Sequence, residues 1–245
     1  PRMWGGFTTA AELRRIADVA DKYQVPMVKV TGGQRIDLLG IRKDDLPAIW
    51  KELDMPSGHA YGKSIRTVKT CVGSEFCRFG TQNSTQLGID LEHDLFNMWS
   101  PHKVKLAVSG CPRNCAEAGI KDIGIIGVDS GWELYIGGNG GIKTEVAEFF
   151  VKLKTADEVR EYSGAFLQLY REEAFYLERT VHYLQRVGME PIKKAVLEDA
   201  DNRQALNARL QFSLSLEQDP WQERIAQQPL KKEFERIPLK QLETA

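Results

Sequence analysis

No apolar run in this sequence approaches the roughly 18 residues of a membrane span, and its N-terminus lacks the charged, apolar and small-residue pattern of a secretory signal. Both absences make a cytoplasmic location the expectation and argue against a membrane partner. Net charge is nearly absent too: 33 Lys and Arg against 34 Asp and Glu leave −1, so no global field draws the chain to nucleic acid or an anionic surface. Recognition by charge must therefore be local. The glycine fingerprint of a dinucleotide site is missing, as is a strand-loop-helix to carry one. Internal repeats and low-complexity tracts are also missing. The chain opens at Pro1 without an initiator Met, and is read as a piece of a longer protein whose other modules carry further functions.

What is present is an ordinary globular composition, 42% hydrophobic over 245 residues, enough for one large domain or two small ones. The first 56 residues read as a small α/β unit. "PRMWGG" suggests the tail of a strand. Thr8 or Thr9 caps a helix whose apolar positions Leu13, Ile16, Ala17 and Ala20 follow helical spacing and which ends near Tyr23. "VPMVKV" and "RIDLLGI" read as strands around a turn at Thr31 to Gly33, and "DDLPAIWKEL" as a helix with Pro47 in its first turn. Pro- and Gly-containing punctuation from Asp54 to Gly62 marks a boundary. The second unit, residues 57–200, alternates cysteine-bearing loops with the strands "KVKLAVS", "DIGIIGV" and "WELYIGG". Helical stretches are expected from Thr144 to Gly188. Residues 201–245 form an extension, amphipathic at Leu206, Leu210 and Phe212 and broken by prolines in "QQPLKKEFERIPLK". The fold class is α+β.

The four cysteines all lie between residues 71 and 115, as Cys71-x5-Cys77 and Cys111-x3-Cys115 with 33 residues between the pairs. Four chemistries compete for them. A disulfide framework suits a small secreted chain, which this is not. Structural zinc takes pairs two to four residues apart in tight knuckles, a poor match to x5 with x3. Buried inert thiols belong on apolar faces, whereas these neighbour Gly73, Gly80, Gly110 and Pro112. An iron–sulfur cluster fits better: four soft thiolates match a cubane's four irons, and nearby glycines let amide N–H groups approach its sulfides.

"TCVGSEFC" followed by "SGCPRNCAEAG" resembles the paired-cysteine signature of the siroheme and [4Fe-4S] nitrite and sulfite reductases, and "WELYIGGNGG" is similar to the glycine-rich strand that follows it there. "ALNARLQFSLSLEQDPWQERI" further resembles the C-terminal part of the NAD(P)H-dependent assimilatory nitrite reductases. The likeness implies a ferredoxin-like half-unit at 1–56 followed by a siroheme- and [4Fe-4S]-binding α+β domain. It also implies FAD and NAD(P)H modules ahead of Pro1 as electron donors, and six-electron reduction of nitrite to ammonia. Cys71, Cys77, Cys111 and Cys115 become the cluster ligands, with Cys115 shared with the siroheme iron and Arg113 and Asn114 as cofactor contacts.

The same likeness assigns the anion site. "PHKVKLAVS" puts Lys103, Lys105, Ala107 and Ser109 on one face of a strand and Val104, Leu106 and Val108 on the other. Taken alone, that is a half-solvated strand. The resemblance turns Lys103, Lys105, Arg66 and Arg35 into substrate-binding cations. His59, His93 and His102 are expected as surface or core histidines, and Glu117 and Asp122 carry no assigned role. Many relatives hold two copies of this half-unit, with cysteines from one and cations from the other; this chain has one copy carrying both sets, which implies a homodimer with shared sites. The alternatives are an assimilatory-type sulfite reductase or a non-catalytic iron–sulfur electron-transfer module.

Overall fold

A computed structural model describes residues 1–59, 62–226 and 232–234. The chain divides into two compact units. The first comprises Pro1–Met3, Phe7–Gly58 and the segment from Gln218 onward. Its first helix, α1 (Ala10–Lys22), opens on a capping box: Thr9 Oγ1 accepts from the Glu12 N–H at 3.1 Å, and the Glu12 carboxylate accepts from the Thr9 N–H at 2.8 Å. Two donors orphaned by the helix start are thereby satisfied. Strands β1 (Met27–Val30) and β2 (Ile36–Leu39) pair antiparallel with Val30 opposite Ile36. Helix α2 (Leu46–Leu53) carries Pro47 in its first turn, where no N–H is needed, and ends at Asp54 in the left-handed region. Met3, Ile16, Val19, Ile49, Leu53 and Met55 form this unit's core. The tail returns to it through a short helix, Pro220–Ala226, whose Trp221 stacks on Trp50 with ring centroids 5.3 Å apart.

The opening "PRMWGG" forms no strand. Trp4–Gly6 is a 3₁₀ turn with Gly5 at φ 60° and Gly6 at φ 83°, a conformation that two glycines adopt freely and an extended run does not. Trp4–Gly6 belong to the second unit, together with His59–Glu217.

That unit is built on a five-stranded sheet in the order β3-β4-β5-β6-β7. Strands β3 (Lys69–Thr70), β4 (Leu106–Ser109) and β5 (Ile123–Val128) run parallel, while β6 (Gly131–Ile136) and β7 (Glu148–Leu153) return antiparallel. Between β3 and β4 the chain makes a four-residue helix, α3 (Gly73–Phe76), and α4 (Ser84–Asp94). After β7 come α5 (Ala156–Glu173), α6 (Thr180–Val187), α7 (Met189–Lys193) and α8 (Ala200–Ser215). Thr144 to Leu153 was expected as the start of a helical stretch but contains β7. "EFFVKL" is aromatic and β-branched, which suits a pleated surface, and the helix begins only after the Thr155–Glu158 capping box.

The two faces of β4 are both covered, so it is not the half-solvated strand its alternation suggests. Val104, Leu106 and Val108 face the large core with Ile123, Ile125, Leu134, Phe166 and Tyr170. On the opposite face Ala107 packs with Ala116 and Ala118, which lie just beyond the second cysteine pair. Small residues make that approach possible: a Cβ on Gly124 would sit 2.1 Å from the Ala118 carbonyl oxygen. The expected helix at Leu206 and Leu210 is α8, with both residues buried, whereas Phe212 is exposed. Most of "QQPLKKEFERIPLK" lies outside the described residues. Among the described residues no helix is long and apolar enough to cross a membrane.

Candidate functional site

The cysteines lie at the carboxyl ends of the parallel strands, the place where open α/β sheets present loops to ligands. Thr70 ends β3 opposite Val108 of β4, so Cys71 and Cys111 leave neighbouring strands within a few residues of each other. The Cys71 N–H donates to the Val108 carbonyl at 3.3 Å, and its Sγ accepts from the Gly110 N–H at 3.1 Å. Ser84 Oγ lies 3.2 Å from the same sulfur. Cys77 closes α3 by donating its N–H to Gly73 at 3.0 Å. The loop is drawn tight at Gly80, where a Cβ would meet the Gly73 carbonyl carbon at 2.6 Å. Thr81 and Gln82 then donate backbone N–H groups to Gly110, at 2.8 and 3.0 Å. Both cysteine loops thus share Gly110 as a hub.

The second pair is ordered by Asn114. Its backbone adopts φ 55°, tolerated by asparagine better than by most residues. Its N–H donates to Cys111 at 3.1 Å, and its side-chain oxygen accepts from the Ala118 N–H at 2.7 Å. Ser109 Oγ accepts from the Ala116 N–H at 3.1 Å. Cys111 is buried, Cys71 and Cys77 are half-buried, and Cys115 is exposed; all four are free thiols. Arg113 lies over the Phe79 ring at 3.9 Å, and Arg78 over the same ring at 4.5 Å.

Among the described residues no three His, Cys, Asp or Glu side chains converge as a single metal ion requires. The donor set fits a polynuclear group instead. In a cubane each iron takes one thiolate, so the sulfurs need only surround a common volume, and Gly110 already offers an amide donor to one of them.

The cations occupy the other end of the same strands. Arg66 precedes β3, is buried, and donates its backbone N–H to Val104 at 2.9 Å. Lys103 and Lys105 precede β4. The Lys105 N–H donates to Asp122 at 2.8 Å, and its Nζ reaches the Gly140 carbonyl at 3.5 Å. Burial, reinforced by Lys103 and Arg179, pushes the Lys105 ammonium below the ordinary lysine range. His102 accepts the Lys103 N–H on Nδ1 at 2.7 Å, and burial followed by the charges of Arg179, Lys103 and Arg66 holds its pKa down. Lys69 and Lys121 are neutralised elsewhere: both grip Glu117, at 3.0 and 3.1 Å, which holds that carboxyl below the usual range.

Within the second unit, then, the structure gathers Cys71, Cys77, Cys111, Cys115, Arg113 and Asn114 at one end of the sheet. Arg66, Lys103 and Lys105 collect at the other. Arg35 belongs to the first unit, where it follows the β1–β2 turn. Its aliphatic stem lies against Gly58 and its guanidinium against Gly33, and its Nε is buried without an acceptor among the described residues. Sequence reasoning missed two members of the cationic end. Asp122 is wholly buried between Lys105 and the start of α6, and Arg179 donates from Nη2 to both of its oxygens at 3.0 Å. No local spacing announces a pair separated by 57 positions.

Four free thiols in glycine-tightened loops, with a cationic end on the same parallel strands, define an iron–sulfur-binding α+β domain. Comparison with known proteins narrows the class. The nitrite and sulphite reductase 4Fe-4S domain matches residues 61–204, and the nitrite/sulfite reductase ferredoxin-like half domain matches residues 1–56. The chain belongs to the nitrite and sulphite reductase family. It is 57% identical over 238 residues to the nitrite reductase [NAD(P)H] of Bacillus subtilis, covering 97% of this chain but 29% of that protein. It is 34% identical to an assimilatory-type sulfite reductase of Nitratidesulfovibrio vulgaris, covering 80% of this chain and 90% of that one. The NirA protein of Mycobacterium tuberculosis shares the fold, with a TM-score of 0.67 at 20% identity over 80% of this chain and 39% of its own. The ferredoxin-like half-unit followed by a [4Fe-4S]-binding α+β domain is therefore the architecture of this chain.

Proposed function

We propose that this chain is the catalytic C-terminal portion of a cytoplasmic assimilatory nitrite reductase, reducing nitrite to ammonia with siroheme and a [4Fe-4S] cluster. The observation that carries this reading is the joining of the two cysteine-bearing loops at Gly110, in a chain 57% identical to a nitrite reductase. Residues 57–200 would hold both groups: Cys71, Cys77, Cys111 and Cys115 would take the cluster, Cys115 would also serve the siroheme, and Arg113 and Asn114 would contact the cofactor. The bound groups supply electrons to the substrate nitrogen, and no side chain can do so. The protein supplies charge and protons. Arg66, Lys103 and Lys105 attract the anion and balance the negative charge that develops on its oxygens, and the ammonium groups of Lys103 and Lys105 hold protons for transfer. FAD and NAD(P)H belong to preceding modules of the parent protein, which deliver the electrons. The chain spans less than a third of the Bacillus subtilis relative, which leaves room for them.

One geometric relation supports a homodimer. Lys105 and Cys111 stand at opposite ends of β4, six residues apart, or roughly 20 Å at about 3.3 Å per extended residue. That separation is too long for one lysine to serve its own cluster. Two chains pairing isologously would each hold a cluster and siroheme while lending cations to the other. Mixing a Cys115→Ser chain with a Lys103→Met/Lys105→Met chain then restores activity through hybrids carrying one intact site. Hybrids that form and stay inactive exclude the sharing. The activity itself is tested by turnover of nitrite against sulfite with a chemical donor: nitrite preference with ammonia as product is expected, and preferential sulfide formation from sulfite transfers the chain to the sulfite reductases.

A further inference from the structure

The cationic end contains a buried guanidinium with a donor left over. Arg179 begins the turn into α6 with its side chain only 11% exposed. Nη2 is committed to both oxygens of Asp122 at 3.0 Å, and Nε is buried with no acceptor among the described residues. Its neighbours are those of the anion site: Lys105 shares Asp122 through its backbone N–H at 2.8 Å, and Thr180 Oγ1 donates to the same carboxylate.

Buried N–H groups of a charged side chain are nearly always satisfied, because leaving one unmade costs its full desolvation. Here the carboxylate is saturated. Asp122 accepts from Arg179, Thr180 and the Lys105 backbone, so it fixes the guanidinium without using its Nε edge. A guanidinium held through Nη2 with Nε unused keeps one charge-assisted donor for the oxygen of an anion. The surrounding charge favours the same class of ligand: His102 and Lys105 lie in the field of Arg66, Lys103 and Arg179, with Asp122 as the opposing carboxylate.

We infer that Arg179 is a further anion-binding residue of the Lys103–Lys105 site, anchored by Asp122 through Nη2 and donating from its Nε to an oxygen of an oxyanion. This rests on the anion-site reading above. Two sources share the chemistry: the nitrite substrate and a carboxylate of the tetrapyrrole.

The test uses the anaerobically purified holoprotein. Removing Arg179 alone would strand a buried carboxylate and unfold the site for structural reasons. The variants are therefore Arg179→Lys, which keeps the charge beside Asp122 and loses the fork, and the neutral pair Arg179→Gln/Asp122→Asn. Lys105→Met runs in parallel. Siroheme per chain, nitrite affinity by optical titration, KM, kcat and thermal midpoint are measured for each. If nitrite is the ligand, Arg179→Lys weakens nitrite binding and raises KM by about tenfold or more, with siroheme content and thermal midpoint near wild type. If a tetrapyrrole carboxylate is the ligand, siroheme content falls by more than half while the loaded fraction binds nitrite normally. Wild-type siroheme content and nitrite affinity in both Arg179 variants, while Lys105→Met weakens nitrite binding, overturn the inference and leave the anion site standing. If Lys105→Met is also unchanged, the anion-site reading falls with it.

Discussion

The backbone N–H of Gly110 donates to the Cys71 sulfur at 3.1 Å, tying the loop after β4 to the cysteine after β3. An amide aimed at a thiolate stabilises its negative charge and raises the reduction potential of a cluster it ligates. The bond exists because the two parallel strands end together and because glycine lets the backbone come close. A Cβ on Gly110 would lie 2.8 Å from the Gln82 carbonyl oxygen and 2.9 Å from Gly73 Cα. The cysteine loops are held by backbone contacts of this kind, which makes their glycines as necessary as their thiols.

Cys115→Ser is expected to damage the cofactors more than Arg66→Lys. In the proposed assignment the first would remove the ligand shared by cluster and siroheme; the second keeps a positive charge and loses only the planar fork. Siroheme content and spin coupling between the two centres separate them. A serine variant with full siroheme and wild-type coupling would remove Cys115 from the bridging position.

Replacing Lys103 and Lys105 by Met should lower nitrite turnover or affinity and leave iron and siroheme largely intact, because both lysines stand at the end of β4 opposite the cysteines. Loss of one charge-assisted contact corresponds to about 1.5–3 kcal/mol, or roughly tenfold to a hundredfold in affinity. Unchanged nitrite kinetics would return the pair to ordinary surface charge.

The pH profile carries a signature of Lys105. Because burial lowers its pKa, its charge is lost at a lower pH than that of an exposed lysine near 10.4. Nitrite affinity should therefore fall on the alkaline side before ordinary lysines titrate, and Lys105→Arg should carry the plateau to higher pH. A profile identical in the two proteins would contradict the assignment.

Stability on the acid side reports His102. Its folded pKa lies below the unfolded value of about 6.5, so between the two the unfolded chain binds more protons. Stability is complete above that unfolded value and declines as the pH falls from it through the lowered folded pKa. His102→Gln should flatten this limb, measured as the change in thermal midpoint with pH. An unaltered slope would show that His102 exchanges protons equally in both states.

Gly124→Ala should dislodge the second cysteine loop. Its Cβ would meet the Ala118 carbonyl oxygen at 2.1 Å and the carbonyl carbon at 2.7 Å, both backbone atoms that cannot turn aside. Overpacking of this kind costs about 1–3 kcal/mol, and more where backbone must move. A lower thermal midpoint and lower iron occupancy are expected. Gly32→Ala, with no atom within 4 Å of its Cβ, should be within about 0.5 kcal/mol of wild type. Equal effects of the two substitutions would refute the packing argument.

The parts of the fold legible in the sequence are those written locally. Helix α1 was visible in Thr9 and its apolar spacing, the β1–β2 hairpin in Thr31 to Gly33, and β5 and β6 in their apolar runs. The helical stretch expected from Thr144 runs over β7, although Phe149, Phe150 and Val151 carry the opposite preference. The cysteine motif was legible because it is compact. Asp122 and Arg179 were not, because their meeting depends on the start of α6 returning to the N-terminal end of the central strand β5, a tertiary fact with no local pattern. The burial of both faces of β4 was hidden likewise: Ala116 and Ala118 cover Ala107 only once the cysteine loop has folded back.

The central claim is that the four cysteines hold a cluster coupled to siroheme. Anaerobic purification of the full chain, with iron, sulfide and siroheme quantified and the coupling followed by electron paramagnetic resonance, tests it most directly. One [4Fe-4S] cluster and one siroheme per chain are expected, magnetically coupled, with the coupling abolished in Cys115→Ser. A chain that assembles the cluster but takes up no siroheme, or carries both without coupling, would contradict it.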